Sequence, residues 1–305
     1  MPDDLLERFQ RGDRLALARL LTLLARGRPA APILAELGPP PKPARVIAIT
    51  GSGGVGKSTL VGKLIEHIRG QGLSVAVLAC DPQSPLSGGA LLGDRFRMPS
   101  RPDDPGVFIR SLAAPPGRGA IAEHVEPMVR LLERFGFDVI LIETAGAGQG
   151  DTAVRELADI VVLLLQPETG DDLQWEKAGV LEVADVVVVH KADLPGAEQV
   201  ESQVRTMLGL SDSRQTPVLR VSAKTGLGLD QLWTILAQCP LRRPGRSAGG
   251  RELLALAQEA LAARFAAAEA ARDPALIQLI DQWRQGQLDD DQATAALWEL
   301  LRPSR

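Results

Sequence analysis

Cysteine is scarce: Cys80 and Cys239 are the two in 305 residues, and they form no CxxC pair. That excludes a disulfide framework and a zinc ribbon, and it suits a reducing compartment. Unbroken apolar runs of about 18 residues, the length that suggests a membrane helix, are missing, so no membrane anchor is expected. The opening stretch MPDDLLERFQRGDRLALARL mixes acids and arginines at helical spacing and has neither the basic start nor the apolar stretch of a secretory signal. A cytoplasmic location is the expectation. Positive charge is not in excess either. With 34 Lys and Arg against 38 Asp and Glu, the net charge of −4 gives no basic field for nucleic acid.

What is present describes a globular chain, 45% hydrophobic and 24% charged, long enough for a sizeable core. Residues 3 to 26 carry leucines at mixed three and four spacings and read as one or two amphipathic helices. GRPAAPILAELGPPPKPARV breaks them, and Pro39, Pro40, Pro41 and Pro43 read as a stiff linker. From Arg45 to about Cys239, short β-branched runs alternate with helical ones. The expected strands are Val46–Thr50, Ser74–Cys80, Val107–Leu112, Asp138–Glu143, Ile160–Leu165, Val186–Val189 and Val218–Val221. Several are apolar on both faces, as in a mostly parallel sheet covered by helices on each side, so the fold class is α/β. After Pro240 a linker composition leads into alanine-rich helices, with caps expected near Asp273 and at Asp289 or Asp290. The expected division is a helical extension and linker at 1–44, a nucleotide-binding domain at 45–240, and a helical, dimer-forming region at 241–305.

RVIAITGSGGVGKSTLVGKLIEHI holds the first chemistry. Gly51, Gly56, Lys57 and Ser58 complete G-x-x-x-x-G-K-[ST] between an expected strand and an expected helix, the context that motif requires. Glycines let backbone N–H groups turn inward around a phosphate chain, and the helix N-terminus adds its dipole. Lys57 reaches the β and γ oxygens, and the Ser58 hydroxyl can ligate Mg²⁺. The whole loop, Gly51, Ser52, Gly53, Gly54, Val55, Gly56, Lys57, Ser58 and Thr59, is therefore the candidate cradle for a nucleoside triphosphate. Ser52 stands where ParA- and MinD-type ATPases carry an extra lysine, which argues against that branch.

Two further loops bear on the base. VVVVHKADLPG places His190, Lys191 and Asp193 at a strand end, with the spacing of the [N]KxD loop that reads guanine. The aspartate carboxylate accepts from the ring N–H and the exocyclic amine, and the lysine stem covers the ring plane. His190 replaces the usual asparagine; its ring can donate one hydrogen bond but cannot reproduce a carboxamide's paired donor and acceptor. RVSAKTGLGL supplies Ser222, Ala223 and Lys224, an SAK signature whose backbone N–H groups would meet the guanine oxygen.

Two longer stretches are the more specific: ACDPQSPLSGGALLGDRFRM, with Asp81, Gly88, Gly89 and Asp94, and DVILIETAGAGQGD, with Glu143, Gly146, Gly148 and Gln149. Together with the loops above they closely resemble the MeaB, ArgK and MMAA family of GTPases, chaperones of adenosylcobalamin-dependent acyl-CoA mutases, strongly over residues 45 to 240. The resemblance implies GTP and GDP as ligands with Mg²⁺. It implies that Lys57 and Ser58 hold phosphates and metal, and that Asp81, Asp94 and Glu143 surround the metal and the attacking water. Gly146 would give its N–H to the γ-phosphate, making Ala145 to Asp151 a switch. Gln149 is either a water-positioner or a solvated side chain of a glycine-rich loop. The implied partners are the mutase and a cobalamin adenosyltransferase, and the terminal helices make a second copy of the chain a further expected partner. The sequence does not choose among methylmalonyl-CoA, 2-hydroxyisobutyryl-CoA, isobutyryl-CoA and ethylmalonyl-CoA mutases.

Other residues read as structural. His67 and His124 fall on expected helices, Cys80 is a small buried hydrophobe, and Asp289 to Asp291 cap a helix. Trp175 and Lys177 lie in either a mobile loop or a helix start. A nickel-inserting metallochaperone GTPase is the nearest rival, but three scattered histidines and two lone cysteines form no metal cluster. An amino-acid transport kinase or ATPase is a third reading, and no acceptor-substrate constellation accompanies it.

Overall fold

The computed structural model describes residues 3–82, 104–114, 124–145, 154–167, 181, 183–210, 216–242 and 248–302, with Asp81 described by its backbone alone. The apolar runs become strands β1 Arg45–Gly51, β2 Val75–Pro82, β3 Val107–Ala114, β4 Val139–Glu143, β5 Ile160–Leu165, β6 Val186–His190 and β7 Val218–Val221. They form one sheet in the order β3-β2-β4-β1-β5-β6-β7. Every ladder is parallel, with Ile47 opposite Leu141 on one side and Ile160 on the other.

Alternation along β1 sorts its side chains. Val46 and Ala48 enter one core with Leu17, Leu20, Ile33 and Leu132. Ile47 and Ile49 enter another with Leu60, Leu64, Ile65, Trp233 and Leu236. A third cluster joins Leu163, Val187 and Val189 to Val200 and Val204 of the helix Ala197–Leu210. The sheet is thus buried on both faces, which is why its strands lack a polar side.

The first core is built by α1 Asp3–Gln10, α2 Arg14–Ala25, α3 Ala30–Leu37 and α5 Val125–Phe135. Asp13 caps α2 by accepting from the backbone N–H groups of Leu15 and Ala16. Two expectations need correcting. The stretch read as a break contains α3: Pro32 falls in the first helical turn, where a missing N–H costs no intrahelical bond, and Ile33 and Leu34 are buried. His124 lies just ahead of α5, at its N-cap position with φ 65, rather than within a helix.

Chain contacts separate two compact units, Met1–Pro244 and Gly245–Arg305. The second holds helices Ala248–Ala270, Pro274–Arg284 and Asp290–Leu300. Asp273 caps one of them, and Asp289 forms a capping box with Gln292. Arg264 closes the unit by donating to the carbonyl of Leu301 at 2.7 Å. Among the described residues no helix is long and apolar enough to cross a membrane.

Candidate nucleotide-binding site

The sheet brings the carboxyl ends of β1, β4, β6 and β7 to one edge. From β4 the chain passes to β5 on the other side of β1, and such a switch point is where open parallel sheets bind ligands.

The phosphate loop leaves β1 there. Gly51 has φ +149, and a Cβ on it would lie 2.6 Å from the carbonyl oxygen of Leu164, so the strand end admits glycine alone. Helix α4, Lys57–Gly70, starts directly after Gly56 and buries Leu60, Val61, Leu64, Ile65 and Ile68 on one face. That stripe seats its first turn against the sheet. Lys57 Nζ, in the buried interior of the loop, donates to the carbonyls of Gly51 at 2.9 Å and Ser52 at 3.1 Å. The Ser58 hydroxyl donates to Glu143 Oε1 at 2.7 Å. Gly53, Gly54 and Thr59 are exposed and Val55 is buried.

Glu143 ends β4 and is 3% exposed. Beside it Thr144 donates to the Thr50 hydroxyl at 3.1 Å, tying β4 to β1 just under the loop. Asp81 is the next to last residue of β2, its backbone opposite Ala113 of β3. Asp94, Gly146 and Gln149 lie outside the described residues, as do Gly88, Gly89, Gly148, Trp175 and Lys177. Among the described residues no three acids, histidines or cysteines gather into a metal site. The structure therefore brings Ser58 and Glu143 together out of the expected metal-binding set.

The two loops expected to read the base meet. The Ser222 hydroxyl, at the end of β7, donates to Asp193 Oδ1 at 2.6 Å, and Lys224 Nζ lies 4.0 Å from Oδ2. The Ser222 bond chiefly, with help from the Asp193 backbone and Lys224, holds the Asp193 carboxyl below its ordinary range. Lys191 turns through φ 55, and its Nζ donates to Gln166 Oε1 at 2.7 Å. Ala223 follows Ser222 and is buried.

His190, 3% exposed, points to the phosphate loop instead. Its Nδ1 lies 2.8 Å from the carbonyl oxygen of Val55, an atom that only accepts, so Nδ1 carries the proton. Burial pushes the imidazole below its ordinary value and so favours the neutral ring, partly opposed by that bond. A Cβ on Gly56, which has φ +98, would lie 2.6 Å from His190 Cε1. Sequence reasoning missed Gln166, which lies in no motif, and the pairing of Thr50 with Thr144, two residues of separate motif stretches that lie 94 positions apart.

The family model "Methylmalonyl Co-A mutase-associated GTPase MeaB" matches residues 17–268. A protein of Pyrococcus abyssi named as a GTPase is 42% identical over 76% of this chain and 74% of its own. A fused isobutyryl-CoA mutase of Geobacillus kaustophilus is 36% identical over 66% of this chain and 20% of its own. Among solved structures, a LAO/AO transport system kinase superposes with a TM-score of 0.65 at 25% identity, covering 98% of this chain and 97% of that one. The parallel sheet with its phosphate loop agrees with these matches, and the chain belongs to the MeaB family of methylmalonyl Co-A mutase-associated GTPases.

Proposed function

We propose that this GTPase serves an adenosylcobalamin-dependent acyl-CoA mutase, gating loading, protection or reactivation of the mutase cofactor. The partner is supported by the family's own description and by the relative in which a homologous stretch belongs to a fused isobutyryl-CoA mutase. The observation that carries the nucleotide reading is the bond between Ser222 and Asp193. It fixes a carboxylate where guanine's N–H groups would be read, and guanine nucleotide is the ligand this family implies.

In this reading Lys57 balances the charge of the β and γ phosphates, and the N–H groups of Gly53 to Ser58 cradle them. Ser58 and Glu143 are oxygen ligands already in contact, the donor type a hard divalent cation takes. Mg²⁺ held there, with Asp81 and Asp94 completing its surroundings, would draw charge from the phosphate oxygens. Glu143 and its acidic neighbours hold the attacking water in place, and Gln149 is the candidate that orients it. Gly146 carries the γ-phosphate contact that lets Ala145 to Asp151 act as a switch. Intrinsic hydrolysis is slow until a docked partner orders these loops, so hydrolysis times the cofactor transfer. The chain works as a homodimer, and a cobalamin adenosyltransferase is the expected cofactor donor.

The test is transfer of adenosylcobalamin to apo-mutase, followed by the cobalamin absorbance change, with GTP or a non-hydrolysable analogue present. Transfer that proceeds with GTP and stalls with the analogue supports gating. Equal rates under both conditions, and without the GTPase, contradict it.

A further inference from the structure

Guanine can be read on two edges. The pyrimidine edge offers the N–H donors that a carboxylate accepts, and the five-membered ring offers N7, which only a hydrogen-bond donor can recognise. In the loop HKAD the side chains besides Asp193 that carry polar hydrogens are His190 and Lys191, the candidates for such a donor. A histidine has two ring nitrogens, and the structure accounts for both.

The Nδ1 proton is committed to the Val55 carbonyl at 2.8 Å. Nε2 is buried, has no hydrogen-bond partner among the described residues, and carries no proton in this tautomer. The ring lies against the phosphate loop so closely that a Cβ on Gly56 would fall 2.6 Å from Cε1 and 2.7 Å from Nδ1. Moving the proton to Nε2 would turn the Nδ1 lone pair onto the Val55 oxygen, setting two acceptors in contact. Lys191 directs its ammonium to Gln166 Oε1 at 2.7 Å, which commits one of its three donors.

We propose that this GTPase reads guanine on the pyrimidine edge alone, through Asp193, and leaves N7 unread because His190 is committed to the phosphate loop. The inference rests on the guanine reading of the site given above. Its consequence is a distinct ligand tolerance: purine nucleotides altered at position 7 bind as well as their parents, provided the pyrimidine edge is intact.

Two measurements on the full-length, unaltered protein test this. In calorimetric titrations, GDP and 7-deaza-GDP, in which a C–H replaces N7, are expected to bind with dissociation constants within about threefold of each other, less than a lost hydrogen bond usually costs. A 7-deaza-GDP affinity weaker by more than about threefold overturns the inference. Failure of GDP itself to bind would instead overturn the guanine reading, so the two failures are distinguishable. The second measurement is ¹⁵N NMR of the imidazoles, which number three, His190 being assigned by its loss in His190→Gln. A protonated Nδ1 and a bare Nε2 in the GDP complex are expected. A protonated Nε2 in that complex would overturn the inference.

Discussion

The hydroxyl of Ser58 donates to Glu143 Oε1 at 2.7 Å, joining the first turn of α4 to the end of β4, and both side chains are buried. A buried carboxylate needs its donors, so this bond is structural before it is catalytic. It also places at the foot of the cradle the two oxygen groups proposed to hold the metal.

Ser58→Ala tests both roles. Turnover of GTP is expected to fall by at least about tenfold, and Mg²⁺ to stop tightening nucleotide binding, as read by titrations with and without the metal. Glu143 loses a donor, so urea unfolding should show a loss of about 1–3 kcal/mol. Unchanged Mg²⁺ dependence would remove Ser58 from the metal site.

Asp193→Asn addresses the base. The carboxamide keeps the shape but offers guanine a donor where two acceptors are wanted. GDP affinity should fall by roughly ten- to a hundredfold, because hydrogen bonds to a charged group are the stronger kind. Xanthosine diphosphate, with a carbonyl in place of the exocyclic amine, should gain. Equal GDP affinity in variant and parent would contradict the role given to Asp193.

Gly56→Ala should be damaging through a specific partner. The new methyl meets the His190 ring, and φ +98 is strained for alanine, a conformational cost of roughly 1–3 kcal/mol. In a double-mutant cycle with His190→Ala, part of that cost should disappear, since removing the ring removes the overlap. Strict additivity in unfolding experiments would show that ring and loop do not press on each other.

His190 also sets a pH dependence. Its folded value lies below the ordinary 6.5 because of burial, so the unfolded chain takes up a proton that the folded chain refuses. The stabilisation is complete above 6.5 and is lost as the pH falls through it toward the folded value. Asp193, held low by Ser222, loses its contribution only as the pH falls past the ordinary carboxylate value of 3.8, well clear of that window. The melting temperature should therefore drop between about pH 7.5 and about pH 5.5, and His190→Gln should flatten that slope. An identical slope in the variant would place the titration elsewhere.

Much of this architecture was legible before folding. Strands buried on both faces announce themselves as β-branched runs, and all seven lie within two residues of the expected ends. The phosphate loop was legible because its residues are contiguous. Helix α3 was hidden because proline ordinarily ends a helix, and only its place in the first turn makes Pro32 compatible. The tie between His190 and Val55 spans 135 residues and depends on which way one imidazole turns. Spacing carries no trace of such a choice; the sheet order that sets β6 two strands from β1 decides it.

The central claim, a guanine-specific GTPase answering to a cobalamin mutase, is tested most directly by steady-state hydrolysis of GTP and ATP by the purified protein, alone and with the adenosylcobalamin-dependent acyl-CoA mutase proposed as its partner. A several-fold rise in GTP turnover on adding the mutase, with ATP ignored, is the predicted result. A GTP rate indifferent to the mutase would contradict the partner, and equal use of ATP would contradict the reading of the base.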